Sequence, residues 1–388
     1  MTARPTALAG AEIFDGTSRY TASTLIVASG RVIGIVPEDM VPPEAVIERL
    51  DGGILCPGFV DLQVNGGGGV MFNDDQSVQT LRTMAEAHAR LGATSILPTL
   101  ITDTPTHTSR AIEAVAAAMA KGVPGIVGLH LEGPHLSQAR KGAHDPSLIR
   151  PMEDADLTLL LEAARKLPVL KVTLAPETVS PDQIARLSDA GILVSLGHSD
   201  ASFDTCQSFA NAGARCVTHL FNAMSQLGSR EPGLVGAALT NGALSAGLIA
   251  DGIHVHPQSV RAAMAAKQGP GEIFLVSDAM AVAGTDLTEF HLNGRVIRRD
   301  NNRLTLEDGT LAGADLDLAT AVRNIVKWGA ASVDHALAMA TSIPAKLHPG
   351  LGPIGTLTKG APADMVHLSA KDYALNAVWR AGVRVARA

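Results

Sequence analysis

The sequence predicts an α/β protein, a (β/α)8 barrel of the TIM type joined to a small β-sandwich domain that both termini build. Two observations predict the barrel: eight apolar strand candidates follow one another through the middle of the 388-residue chain, and helix-like segments separate them. The third observation predicts the sandwich, because short alternating strands occur near both ends. We assign residues 58–345 to the barrel, and residues 1–57 with 346–388 to the accessory domain.

The two terminal regions share the sequence pattern of short β-strands. Residues 11–16, 23–38 and 45–53 alternate apolar and polar side chains, with glycines at the bends. The same pattern returns in residues 350–369 and 376–386. The simplest topology pairs the C-terminal strands with the N-terminal ones, so the barrel becomes a central insertion.

From residue 54 onwards, apolar runs alternate with segments of helical spacing. Residues 77–92 show that spacing, because Leu81, Met84, Ala85 and His88 fall on one face of a helix. The eight strand candidates are ILCPGFVDLQV, TSILPTL, GIVGLHLEG, VLKVTLAPE, ILVSLGHS, CVTHL, ALSAGLIADG and EIFLVSDA. A β-hairpin is expected as an insertion near residues 290–310, because Asn293-Gly294 and Asp308-Gly309 are turn pairs.

Composition excludes several classes of protein. With 46% apolar and 18% charged residues, the chain can bury a large core and is not disordered. Its net charge of −7 argues against nucleic-acid binding, which a basic surface usually drives. The first residues lack the apolar core of a signal peptide, and residues 232–250 contain Pro, Thr, Asn and glycines that disfavour a membrane helix. Three cysteines without a CxxC pair fit a reducing compartment, so we expect a cytoplasmic protein.

Polar residues end most of the predicted barrel strands. In such barrels the carboxyl ends of the strands form one mouth that holds the catalytic groups. Glu132, His198 and His219 end three different strands, and a carboxylate with two imidazoles suits a borderline divalent metal such as zinc or ferrous iron. A single strand-end histidine could instead bond to backbone, but three on one rim favour a metal site. Asp278 follows the apolar run IFLVS and is either a functional carboxylate or a helix cap.

Nine segments in order resemble the N-acetylglucosamine-6-phosphate deacetylases of the amidohydrolase superfamily. They are PGFVDLQVNGGGG, HLEGPHLS, KGAHDPSLIR, TLAPE, GHSDA, THLFNAMSQLGSREPGLVG, IADGIHVHP, LVSDAM and GTLAGADL. The resemblance spans nearly the whole chain. It implies a (β/α)8 barrel with a small β-sandwich, a homodimer, and hydrolysis of the acetamide of N-acetyl-D-glucosamine 6-phosphate.

The resemblance also implies roles for single residues. Glu132, His198 and His219 would bind one divalent ion per subunit, with zinc expected and Fe²⁺, Co²⁺ or Mn²⁺ as alternatives. Asp278 would be the catalytic acid/base, and His144 would polarise the acetyl carbonyl. Arg230 is expected to reach the phosphate bound by the neighbouring subunit. The full set of expected substrate contacts is Gln63, Ala143, His144, Asn222, Ala223, Arg230, His254, Leu311, Ala312 and Gly313.

One position departs from the wider superfamily. Many amidohydrolases carry His-x-His at the end of the first strand, whereas this chain has Gln63-Val64-Asn65, and a neutral amide is a poor metal ligand. We therefore expect one metal ion and not two. By alternation along its strand, His130 faces the same side as Glu132 and is a candidate to support the site.

Two other functions remain open at this stage. The metal set and Asp278 would equally serve a deacetylase of N-acetylgalactosamine 6-phosphate or of another N-acyl amino compound. A non-catalytic binding protein on the same scaffold is a remote alternative, because it would be expected to have lost a ligand or the aspartate, and all four residues are present.

Overall fold

A computed structural model describes residues 4–385 of the chain. The N-terminal region forms seven strands, as the alternating pattern predicts. They are β1 Thr6–Ala9, β2 Glu12–Phe14, β3 Arg19–Tyr20, β4 Ser23–Ala28, β5 Arg31–Pro37, β6 Val46–Arg49 and β7 Ile54–Pro57. A single turn of 3-10 helix, Glu38–Met40, follows β5.

The central region contains the eight strands of a parallel barrel. They are β8 Phe59–Val64, β11 Ala93–Ile101, β12 Leu129–Glu132, β13 Leu170–Leu174, β14 Leu193–Leu196, β15 Cys216–Val217, β16 Ser245–Leu248 and β17 Ile273–Leu275, and each pairs with the next. The two-residue strands β9 Gly66–Gly67 and β10 Val70–Met71 form a small separate sheet after β8. All eight predicted strands are present, and the predicted fold class is confirmed.

Helices connect the barrel strands on the outside. They are α1 Val78–Arg90, α2 Pro105–Ala120, α3 Asp154–Lys166, α4 Pro181–Asp189, α5 Phe203–Asn211, α6 Gly233–Thr240, α7 Pro257–Ala266, α8 Leu318–Lys327, α9 Val333–Ala340 and α10 Ser342–Ala345. Local sequence explains several starts: before α4, the Ser180 hydroxyl accepts from the N–H of Gln183 while the Gln183 side chain accepts from the N–H of Ser180. No helix within residues 4–385 has both the length and the apolar character needed to cross a bilayer.

The barrel closes between its last and first strands by a short seam. The N–H of Asp278 donates to the carbonyl of Gln63 at 3.1 Å, and the N–H of Asn65 donates to the carbonyl of Ala279 at 2.9 Å. These bonds join the end of β8 to residues just beyond β17. The closure therefore brings the residues after strand eight beside the amides that end strand one.

A three-stranded antiparallel sheet lies where the sequence predicts a hairpin. Its strands are β18 Glu289–Leu292, β19 Arg295–Asp300 and β20 Arg303–Thr305. Asn293-Gly294 forms the first turn with both φ angles positive, as this turn type requires. The second turn is Asn301-Asn302, also at positive φ, which the sequence analysis did not single out. The apolar side of this sheet packs against Met71, Ile101 and Met280 at the barrel mouth.

The C-terminal strands return to the N-terminal region. They are β21 Met365–Leu368, β22 Leu375–Arg380 and β23 Val383–Arg384. β21 pairs with β7, which gives a six-stranded sheet built from both ends of the chain, opposite the four-stranded sheet β5-β4-β1-β6. On β7, Leu55 enters the core between these sheets, whereas Ile54 and Cys56 pack on the barrel side. The domain limits at residues 57/58 and 345/346 stay a prediction.

Candidate active site

Four polar side chains meet at the carboxyl ends of the barrel strands. Glu132 is the last residue of β12, His198 and His219 each lie two residues beyond β14 and β15, and Asp278 follows β17 by three residues. Their exposed fractions are only 2% to 8%. Because parallel strands end at the same edge, residues far apart in sequence come together there.

Glu132, His198 and His219 form a compact donor cluster. Glu132 Oε1 lies 3.2 Å from His198 Nε2 and 3.0 Å from His219 Nε2, and the two Nε2 atoms are 3.0 Å apart. Within residues 4–385, this is the group of three His, Cys, Asp or Glu side chains whose ligand atoms could share one metal ion. One carboxylate and two imidazoles are a donor set that zinc accepts. The residues present therefore fit a divalent cation.

Neighbouring groups orient this cluster. His198 Nδ1–H donates to the carbonyl of Arg140 at 2.8 Å, which orients the ring so that its Nε2 faces Glu132. Burial opposes ionisation of Glu132, but hydrogen bonds from His198 and His219 outweigh it and hold the pKa of Glu132 well below its usual range. Burial likewise opposes the charged form of His219, yet its bond to Glu132 raises the pKa of His219. A bound dication would displace that proton.

Asp278 is held by the two amides that end strand one. Asn65 Nδ2 donates to Asp278 Oδ1 at 2.7 Å, and Gln63 Nε2 donates to the same oxygen at 3.1 Å. Within the described chain Oδ2 makes no hydrogen bond, so one oxygen is fixed and the other can exchange a proton. Burial, and then the charge of Glu132, raise the pKa of Asp278. Asp278 precedes no helix directly, so the alternative of a helix cap is wrong.

Gln63 separates the two carboxylates. Its Nε2 lies 3.4 Å and 3.3 Å from the two oxygens of Glu132, in addition to its bond to Asp278. Gln63 and Asn65 therefore act as neutral donors to anions at the place where other amidohydrolases carry two histidines. This arrangement supports the expectation of one metal ion.

His144 packs against the donor cluster. Its ring centroid is 4.4 Å from that of His198. The N–H of Thr102 donates to His144 Nδ1 at 3.3 Å, and the Thr102 hydroxyl lies 2.8 Å from the same nitrogen. Because a backbone N–H can only donate, Nδ1 is the acceptor and the proton of the neutral ring is assigned to Nε2. Burial, and then the charge of His198, lower the pKa of His144 well below its usual range. His144 is therefore a neutral imidazole that can donate from Nε2.

His254 belongs to a second oriented pair. Its Nδ1–H donates to Asp251 Oδ2 at 2.6 Å, while Asp251 Oδ1 accepts the N–H groups of Ile253 and His254 at 2.8 Å each. Both side chains are more than nine-tenths buried. The bond fixes the ring of His254, which lines the same cavity as Asp278.

Three of the functional side chains sit on strained backbone. His198, His219 and Asp278 have φ angles of +48°, +29° and +52°, a left-handed region that residues with a Cβ seldom adopt. Each such residue costs on the order of 1–3 kcal/mol, and such strain clusters at functional sites. The turn it creates lets each strand-end side chain point inward to the common cavity.

A cavity of about 370 Å³ opens above these groups. Ten residues that the sequence analysis singled out line it: Glu132, Ala143, His198, His219, Asn222, Ala223, His254, Asp278, Leu311 and Gly313. Gln63 and His144 contact residues of the lining, Asp278 and His198 respectively. Ala312 is buried in the core of the three-stranded sheet, and Arg230 is exposed on the loop before α6, outside this cavity. The predicted substrate roles of all these residues stay predictions.

The structure adds lining residues that the sequence analysis did not name as contacts. Asn65, Arg140, Met280 and Thr310 border the cavity. Arg140 directly precedes the KGAHDP segment, so proximity to that motif was the available signal. The backbone N–H of Asn222 donates to the carbonyl of His219 at 2.9 Å and so is not free for a ligand. The N–H of Ala223 makes no hydrogen bond within the described residues and is open to a ligand.

Comparison with known proteins defines the family. The model of the Amidohydrolase family matches residues 54–385. The chain belongs to the amidohydrolase family. The N-acetylgalactosamine-6-phosphate deacetylase of Shewanella sp. (strain ANA-3) is 46% identical over 339 residues, covering 86% of this chain and 84% of that protein. The N-acetylglucosamine-6-phosphate deacetylase of Haemophilus influenzae is 33% identical over 344 residues, covering 88% and 89%.

Among solved structures, this amidohydrolase is similar to N-acetylglucosamine-6-phosphate deacetylase from Pasteurella multocida. The TM-score is 0.93 at 32% identity, and the match covers 98% of this chain and 99% of that one. The resemblance read from the sequence is thus confirmed. The family is metal-dependent, in agreement with the cluster of Glu132, His198 and His219.

One zinc ion per chain is the expected stoichiometry. Protein saturated with zinc and then desalted should retain about one ion, because one carboxylate and two imidazoles form one site and the amides at strand one do not bind a second. Elemental analysis against protein concentration measures this ratio. His198→Ala should lose the ion, whereas His135→Ala, a buried histidine outside the cluster, should keep it. Two tightly held ions in the unaltered protein would contradict the argument from Gln63 and Asn65.

Proposed function

We propose that this amidohydrolase hydrolyses the acetamide of N-acetyl-D-glucosamine 6-phosphate, giving D-glucosamine 6-phosphate and acetate. The observation that carries the proposal is a donor cluster suited to a divalent metal that faces a buried carboxylate, Asp278, across one cavity. The named relatives and structures support the substrate class. A neutral amide resists water, so the site must both activate water and stabilise charge on the carbonyl oxygen.

The metal site consists of Glu132, His198 and His219, with zinc as the proposed ion. When bound, the dication supplies Lewis acidity, which lowers the pKa of water and polarises a carbonyl. The remaining steps are assigned to side chains of the protein. Gln63 donates to both Glu132 and Asp278, and so keeps two nearby carboxylates apart.

Asp278 is the proposed acid/base. One of its oxygens is fixed by Asn65 and Gln63, which leaves Oδ2 to take a proton from the attacking water. The same oxygen then returns the proton to the amide nitrogen as the C–N bond breaks, since an amine leaves poorly without one. Water supplies the oxygen of acetate, and both products form without any further reactant.

His144 is the proposed donor to the acetyl carbonyl. Its Nδ1 is occupied by the N–H of Thr102, so the Nε2–H is the group that it can offer. A preorganised donor of this kind stabilises the negative charge that develops on a carbonyl oxygen. Because the ring stays neutral, it adds no positive charge beside the metal ligands.

The phosphate needs local donors, because the protein carries a net charge of −7. The free N–H of Ala223, the oriented ring of His254 and the guanidinium of Arg230 are the proposed contacts. Arg230 is exposed on its own subunit, which fits the proposal that it reaches into the site of a partner in a homodimer. The proposed sugar contacts are Gln63, Ala143, Asn222, Leu311, Ala312 and Gly313.

A second candidate substrate is the galactosamine epimer. The relative that is 46% identical to this chain is named an N-acetylgalactosamine-6-phosphate deacetylase. Both epimers present the same acetamide and phosphate, so the groups at the metal would serve either one. Steady-state acetate release from the two 6-phosphates decides between them. The epimer with the higher kcat/KM is the preferred substrate.

The proposed location is the cytoplasm. The support comes from Cys56, Cys206 and Cys216, which are all buried and unpaired in the described structure.

Asp278→Asn should retain the metal and the fold but lower kcat by about 10²- to 10⁴-fold, because the amide cannot take the proton. The raised pKa of Asp278 also predicts that kcat/KM of the unaltered enzyme falls as pH is lowered through that pKa, since protonation removes the base. Stopped or continuous acetate assays across pH measure both effects.

The control for this variant is Asp51→Asn, an exposed loop aspartate of the accessory region, which should behave like the unaltered enzyme. Near-normal turnover of Asp278→Asn with full metal content would show that Asp278 is not the acid/base.

Arg230→Ala should raise KM for the 6-phosphate substrate by about 10- to 100-fold, the range expected for a lost hydrogen bond between charged groups. It should change the hydrolysis of unphosphorylated N-acetylglucosamine much less. Arg49→Ala, at an exposed position of β6, is the matched control. Equal losses of activity on the phosphorylated and unphosphorylated sugars would contradict the proposed binding of phosphate by Arg230.

A further inference from the structure

A row of buried polar side chains forms a layer across the barrel interior, next to the strand ends that carry the proposed metal ligands. Branched apolar residues usually fill this space in (β/α)8 barrels. Here the layer instead contains hydroxyl groups and an imidazole with exposed fractions of 0%. We call this row the interior chain; its members are Thr99, His130, Thr173, Ser195 and Thr218.

The interior chain is continuous. Thr99 Oγ1 lies 3.1 Å from His130 Nδ1, and His130 Nε2 lies 2.7 Å from Thr173 Oγ1. Thr173 Oγ1 is 2.7 Å from Thr218 Oγ1, which is 2.6 Å from Ser195 Oγ. Each side chain is thus hydrogen-bonded to the next one in the row, and both ring nitrogens of His130 have a partner.

The interior chain connects the strands that carry the metal ligands. His130 shares β12 with Glu132, Ser195 lies on β14 three residues before His198, and Thr218 directly precedes His219. Strand β13 carries no metal ligand, yet its Thr173 is the central link between His130 and Thr218. The bond from Thr173 to Thr218 skips β14, so it joins strands that are not neighbours in the sheet.

This crossing has a physical consequence for the site. The number of strands and their stagger set the average diameter of a barrel, but the position of each strand end also depends on the side chains that pack inside it. A directional hydrogen bond across the interior sets the distance between strands more narrowly than apolar contact does. The separation of Glu132 from His198 and His219 depends on that distance.

We propose that the interior chain, with Thr173 as its central hydroxyl, positions Glu132, His198 and His219 for metal binding. Thr173 is a positioning residue, because it contacts neither the ligand atoms nor the cavity. The inference rests on the proposed metal site. It assigns to these buried residues an effect on the affinity of the metal site for zinc.

The test compares zinc affinity in three variants of the full-length protein. Thr173→Val is nearly isosteric but breaks both bonds of the central hydroxyl, and Thr173→Ser restores a hydroxyl. Thr24→Val is the matched control, because Thr24 is fully buried in β4 and its hydroxyl has no hydrogen-bond partner within residues 4–385. Competition with a chelating indicator gives the zinc Kd, and the visible spectrum of the Co²⁺-loaded protein reports the ligand geometry.

Thr173→Val should weaken zinc binding by about 10- to 100-fold, as loss of groups that orient metal ligands does elsewhere. It should also alter the Co²⁺ spectrum and lower kcat more than it changes KM. Thr173→Ser should recover most of the affinity, and Thr24→Val should match the unaltered protein. An unchanged zinc Kd and Co²⁺ spectrum in Thr173→Val, even with a lower Tm, would overturn the proposal.

Ser195→Ala keeps the test decisive if Thr173→Val does not fold. It removes only the bond at the end of the interior chain, so a smaller loss of zinc affinity is expected, and unaltered affinity would overturn the proposal. Failure of the unaltered protein to bind zinc or Co²⁺ at all would instead overturn the proposed metal site, which separates the two hypotheses.

Discussion

The contact of one carboxylate with two imidazoles at the barrel mouth is the interaction on which the site depends. An unpaired carboxylate would be expensive to bury, and Glu132 is 2% exposed. His198 and His219 offset that cost by hydrogen bonding to the same oxygen, and a metal ion would do so more strongly. Because three different strands supply these groups, the barrel must hold its shape for the contact to exist.

Closure of the barrel has a chemical as well as a structural effect. The seam between the first and last strands places Gln63 and Asn65 against Asp278, so the same few residues complete the sheet and set the electrostatics of the proposed acid/base. Two neutral donors stabilise one oxygen of Asp278, and neutral amides are poor ligands for a second metal ion. Burial and the nearby charge of Glu132 act the other way and raise the pKa of Asp278. The balance leaves a carboxylate that can both accept and return a proton.

Much of this arrangement could be predicted from the sequence, because it depends on pattern. Apolar runs ending in a polar residue predicted where Glu132, His198, His219 and Asp278 would lie, and parallel strands bring such ends together. Other features depend on tertiary contacts that no local pattern carries. Examples are the bond of His198 to the Arg140 carbonyl and the left-handed backbone of the strand-end residues. Ala312 is a further example: its side chain lies in the core of the three-stranded sheet, a packing that its motif did not reveal.

Anomalous diffraction from zinc-loaded crystals tests the central claim most directly, because it places the ion relative to individual side chains. The account predicts one strong peak per chain, about 2.0–2.2 Å from an oxygen of Glu132 and from Nε2 of His198 and of His219. Gln63, Asn65 and Asp278 should lie outside the coordination sphere formed by these protein ligands. A peak bound elsewhere, or a second full peak at the amides of strand one, would contradict it.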